Sequence, residues 1–254
     1  MINCEDPYLS MLGRQHLALS AATISAVLMP YIGDTSMAVA ALIGGCIGSL
    51  IPDIDAEDAA IFHSRVSGLN YSTGKLFNTA LGPFLPFFGY STKYLMYIPA
   101  VEVYNRLLPA QHQFSSTHRS FTHSLAGITT LTGFTGLYML LGMAATGVLL
   151  PLHLLAFLTG YIAGGFLHLL QDSCTKTGVA WSQPFSETRL KGELTTGKDM
   201  LKPHIFLVCL LAINLISLYM AYAAGKTAST LYTVPFLGLS WVTFLKLSAG
   251  SSKG

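Results

Sequence analysis

His118-Arg119-Ser120-Phe121-Thr122-His123-Ser124 sets two histidines five apart where a polar segment turns into a long apolar one. Three other polar clusters, His16, Asp53-Ile54-Asp55 and His168-Leu169-Leu170-Gln171-Asp172, also stand at the ends of apolar segments. Spans that alternate in direction bring all four ends to the same side of a bilayer. The expected fold is therefore all-α, a polytopic membrane helix bundle of about six hydrophobic segments with the polar motifs at their cytoplasmic ends.

Composition supports a membrane class. Charged residues make up 10% of the 254, against roughly 25% in an average soluble domain, and mean hydropathy is +0.53. A net charge of +2 with no basic run gives nucleic acid nothing to grip, so no direct nucleic-acid partner is expected. Cys4, Cys46, Cys174 and Cys209 lack metal-site spacing and read as reduced and structural. Residues 1–10 carry Glu5 and Asp6 with no basic residue before Arg14, unlike a cleaved signal peptide.

Apolar runs at 17–31 and 37–51 read as a helical hairpin. Each is short of the ~30 Å hydrocarbon core. Gly44, Gly45 and Gly48 on the second arm invite close approach by another helix, and Pro52 ends that arm. Residues 56–117 are irregular, and the aromatic-rich stretch 76–108, broken by Pro83, Pro86 and Pro99, suggests one or two interfacial helices. Further spans are expected from 122 to 141, 151 to 170, 204 to 223 and 229 to 245, the last two separated by a short turn containing Lys226. This divides the chain into a membrane-embedded metal-site domain, 1–202, with an irregular insert at 56–117, and a C-terminal pair of transmembrane helices, 203–254. Of the basic residues, Lys226 alone falls on the side opposite the motifs, so the motif side and both termini are expected to be cytoplasmic.

His168 and Asp172, four apart, project from one helix face and can share a divalent ion such as zinc, manganese or iron. Asp53 and Asp55, two apart after a proline, point in opposite directions in extended backbone. Both reach one ion only if the turn curls, so one is a ligand and the other either a general base or an orienter of a ligand histidine. His118 and His123 converge if Ser120 or Thr122 caps the following helix. Arg119 cannot coordinate, but its planar fork suits a phosphate or a developing oxyanion, or else a lipid headgroup. His16 joins them by position. His153 falls on the opposite side, His112 and His204 lack an acidic neighbour at ligand spacing, and His63 is a possible extra ligand.

The order His16-Leu17, Leu50-Ile51-Pro52-Asp53-Ile54-Asp55, the 118–124 stretch, then Gly160-Tyr161, His168, Asp172, Thr175 and Gly178-Val179 resembles the YdjM-like family of bacterial inner-membrane proteins. That family is described as metal-dependent hydrolases and, after one member, as LexA-binding. The resemblance covers roughly residues 13–185 and departs from the family pattern at Ser120, where glycine is usual. A more distant likeness to zinc-dependent phospholipase C and P1 nuclease implies metal binding without fixing the number of ions. The expected protein is a multi-pass hydrolase of the bacterial inner membrane acting at the cytoplasmic face on a phosphoester or lipid-linked substrate. His16, Asp53, His118, His123, His168 and Asp172 would be its metal ligands, zinc foremost, with Asp55 as candidate base and Arg119 as anion stabiliser. A second reading is a non-catalytic membrane platform whose structural metal site binds a cytoplasmic regulatory protein. A transporter would instead set its polar groups near mid-membrane.

Overall fold

The computed structural model describes residues 13–31, 33, 35–69, 71–114, 119–195 and 201–249. Its elements are helices. They are α1 (Gly13–Leu28), α2 (Thr35–Gly48), α3 (Ser72–Ala80), α4 (Leu85–Ser91), α5 (Ile98–Leu107), α6 (Leu125–Thr146), α7 (Pro151–Asp172), α8 (Leu201–Ala224) and α9 (Lys226–Ser248). Among the described residues the extended pairing consists of two isolated bridges, Thr175 with Leu194 and Val179 with Leu190. Among the described residues five segments, Thr35–Asp55, Leu125–Thr146, Pro151–Asp172, Leu201–Ala224 and Lys226–Ser248, are long and apolar enough to cross a membrane. The 16 residues of α1 reach only about 24 Å.

Local chemistry sets the ends of these helices. The Ser124 hydroxyl accepts from the Gly127 N–H at 3.0 Å, so the cap of α6 is Ser124 and not Ser120 or Thr122, and the helix starts later than the apolar run. Gly147, at φ +71°, closes α6, and Pro151 occupies the first turn of α7. The turn expected around Lys226 contracts to Gly225, at φ +87°, and Lys226 already begins α9. In the insert, α4 and α5 are joined through a π-helical segment, Thr92–Tyr97. This run packs on α6 through Tyr104 Oη with Thr130 Oγ1 at 3.0 Å and the Thr135 hydroxyl donating to Met96 Sδ at 3.6 Å.

The α2–α7 contact organises the bundle, and glycines on both helices permit it. A Cβ on Gly44 would come within 2.0 Å of the Phe157 carbonyl oxygen, and one on Gly48 within 2.1 Å of that of Tyr161. In return, Gly160 and Gly164 face the Ala41 and Gly45 carbonyls at 1.9 and 2.1 Å. Backbone meets backbone with no side chain between. Residue numbers rise together along the contact, so α2 and α7 run parallel and their C-terminal ends emerge at one end of the bundle. At the other end His153 Nε2 meets Ser36 Oγ at 3.1 Å. A second core joins α1 to α8 and α9 through Leu19, Ala22 and Ala26 against Leu210, Ile213, Trp241 and Phe244.

Candidate metal centre

The turn after α2 curls into a 3-10 helix, Ile51–Asp55, with Pro52 in its first turn. That curl sends the two aspartates to different tasks. Asp53 Oδ1 lies 3.6 Å from His123 Nε2 and 3.5 Å from His168 Nε2. Asp55 Oδ2 goes behind His123, 3.9 Å from its Nδ1, and accepts from the Arg119 N–H at 3.0 Å and the Thr122 hydroxyl at 3.1 Å. Burial pushes the Tyr97 phenol above its ordinary value, and the Asp55 charge adds to the shift.

From α7, Asp172 Oδ2 stands 3.5 Å from His123 Nε2 and 3.7 Å from His168 Nε2, which closes a nest of two imidazoles and two carboxylates. His16, from the first turn of α1, approaches the other oxygen of Asp172 at 3.4 Å and stacks on the His168 ring at 3.8 Å between centroids. His16, His123, His168 and Asp172 are buried, and Asp53, with 21% of its side chain exposed, is the most accessible of these five. His118 lies outside the described residues. His63 is exposed, and His112 Nδ1 instead pairs with the Pro184 carbonyl at 3.1 Å.

Two features fit this nest to a cation. His168 Nδ1 lies 2.8 Å from the Ser49 carbonyl, which can only accept, so Nδ1 carries the proton and the Nε2 lone pair faces the carboxylates. His168 Nε2 and both Asp172 oxygens are then buried with no hydrogen-bond partner, a costly arrangement for an imidazole and a carboxylate that the single Arg119 ion pair offsets only in part. The four imidazole–carboxylate separations around the nest, 3.5 to 3.7 Å, are too long for hydrogen bonds. They approach the edge of roughly 3.4 Å expected of a tetrahedron whose ligands stand about 2.1 Å from a central ion. His16, Asp53 and His168, and separately His123, His168 and Asp172, keep their ligand atoms within 4.8 Å of one another.

Arg119 borders the nest. Its Nη2 is 2.9 Å from Asp172 Oδ2, an ion pair outside hydrogen-bond geometry, and Nη1 donates to the Thr177 hydroxyl. Its backbone sits at φ +67°, a region a non-glycine residue adopts only when its surroundings impose it. The Asp55 bond to the Arg119 N–H supplies part of that constraint. Sequence reading missed Thr177, which lies in a polar loop with no spacing signal, and Ser49, which acts through its backbone carbonyl. No side-chain pattern could have disclosed Ser49. The glycines at 160 and 164 were readable as a four-residue repeat of small residues.

A family model matches residues 11–249, nearly the whole chain. The chain belongs to the YdjM inner membrane protein family. No curated protein and no solved structure matches it. Membership agrees with the membrane-capable helices in making this an inner-membrane protein, and it extends the resemblance beyond residue 185 through α8 and α9.

Proposed function

We propose that the protein is a membrane-bound metal-dependent hydrolase acting on a phosphoester or lipid-linked substrate at the cytoplasmic face. The observation that carries this reading is the nest itself, buried imidazole and carboxylate donors that face one another without hydrogen bonds. Asp53, His123, His168 and Asp172 would hold the ion, with His16 beside them and zinc the best match to an N/O donor set of this size. When bound, such an ion supplies Lewis acidity to a scissile ester.

The chain's own groups supply the rest. Ser49 fixes the His168 tautomer. Asp55, with one oxygen engaged by Arg119 and Thr122, acts as a positioning residue that holds the 119–123 turn and backs His123, the orienting role left open beside that of base. Arg119 stands at the rim beside Asp172 with a buried Nε that has no hydrogen-bond partner, suited to an anionic oxygen entering past Asp53. The basic residues on the motif side argue for a cytoplasmic orientation of this end.

Arg119→Ala tests the hydrolase reading, because Arg119 cannot be a ligand. It should keep bound metal while losing about 10²–10³-fold in turnover on a phosphoester panel, and lysine should restore only part. The near-complete burial of the nest favours a second reading, a closed structural metal site on a platform for a cytoplasmic regulator. Metal-loaded wild-type protein that turns over no phosphoester, acyl-ester or lipid-phosphate substrate would favour the platform.

A further inference from the structure

A groove separate from the nest lies between the first turns of α1 and α8, at the same end of the bundle. Ala18, Leu19, Leu69 and Leu207 make its walls, Arg14 and Tyr71 stand at its rim, and no carboxylate lines it among the described residues. Its wall and rim residues on α1 follow the helical repeat. Arg14 and Ala18 are one turn apart, so a charge held at Arg14 sits above an apolar channel that starts about 6 Å deeper.

Arg14 is itself built into the groove. It is half-buried, and it lies over Gly68, at φ +82°, where the lack of a side chain leaves it room. A Cβ there would meet Arg14 Nη1 at 2.3 Å. Among the described residues Arg14 has neither an ion pair nor a side-chain hydrogen bond. A half-buried guanidinium that meets no counter-charge among the described residues, set over aliphatic walls in a membrane protein, suits a ligand with an anionic head and a hydrocarbon tail. Tyr71, 81% exposed, is the kind of amphipathic ring found at headgroup level.

We propose that this groove binds one anionic phospholipid, with its phosphate on Arg14 and an acyl chain between α1 and α8. The site is distinct from the metal nest, because the groove lies on the α8-facing side of α1 while His16 faces α7. It does not depend on the hydrolase reading.

Native mass spectrometry of the full chain in mild detergent, titrated with dioleoyl phosphatidylglycerol or dioleoyl phosphatidylcholine, tests this directly. Wild type should retain phosphatidylglycerol in preference to phosphatidylcholine. Arg14→Gln should lower that retention about fivefold. Ala18→Phe, which fills the channel and leaves Arg14 in place, should lower it as well. Millimolar inorganic phosphate should not displace the lipid, since it lacks the chain. Arg14→Gln lies at a rim and leaves the core intact, so it decides the matter even if Ala18→Phe misfolds. Equal retention of the two lipids by wild type, or unchanged retention in Arg14→Gln, would overturn the proposal and leave the groove to another occupant, such as a segment of the chain itself. Displacement by phosphate would overturn it in favour of a free-anion site.

Discussion

The two cores of this bundle treat buried polar atoms in opposite ways. Where α1 meets α8 and α9, they are joined to one another. The Asn214 amide donates to the Ala22 and Leu210 carbonyls at 2.8 Å, and its oxygen accepts from Ser25 at 2.8 Å. Ser217 bonds the Ala26 carbonyl at 2.9 Å, Ser229 bonds that of Ser217 at 2.7 Å, and the Trp241 indole reaches Thr23 at 3.3 Å. At the joined ends of α2 and α7, by contrast, His168 Nε2, Arg119 Nε, Ser120 Oγ and both Asp172 oxygens are buried without a hydrogen bond. Polar groups that hold helices together in lipid satisfy each other. Of the unbonded atoms at the α2 and α7 ends, those of His168 and Asp172 turn lone pairs towards the nest, and histidine with aspartate is the pairing a divalent cation selects.

Substitutions can sharpen or break this contrast. The largest effect is expected from Gly48→Leu, since even a Cβ there would lie 2.1 Å from the Tyr161 carbonyl oxygen. Prising apart the parallel helices should cost about 3 kcal/mol or more and scatter the nest, so thermal melting and metal content should fall together. Next comes Asp172→Ala, expected to weaken metal binding at least about tenfold while leaving the helical signal in circular dichroism intact. Asn214→Leu belongs to the other core. It should cost only about 0.6–1.7 kcal/mol in a reversible unfolding measurement and leave metal content unchanged. Loss of metal in Asn214→Leu would mean the two cores are not separable. Smallest of all, His153→Ala, at the far end beside Ser36, should be silent in both assays.

Much of this was legible before any coordinates, for physical reasons that differ by element. The all-α class and the apolar segments follow from hydropathy, which needs no partner to be read. Gly44 and Gly48 announced a close helix contact, although only the structure gives α7 as the partner, because spacing on one helix does not name the other. His168 and Asp172 were readable as a pair because a helix fixes their geometry. The division of labour between Asp53 and Asp55 was not, since it depends on the Ile51–Asp55 turn curling and on where His123 lies. The start of α6 was misplaced by three residues because hydropathy marks where a chain enters lipid, whereas the cap depends on which hydroxyl reaches a free N–H.

A nest built for a divalent cation should be filled in the purified chain, and metal content tests this most directly. Elemental analysis of wild type prepared without chelator and resupplied with zinc, manganese and iron salts should find stoichiometric metal. His168→Ala, folded by circular dichroism, should hold about a tenth as much or less. Wild-type protein that retains no metal under these conditions, or a folded His168→Ala that retains as much as wild type, would contradict the account.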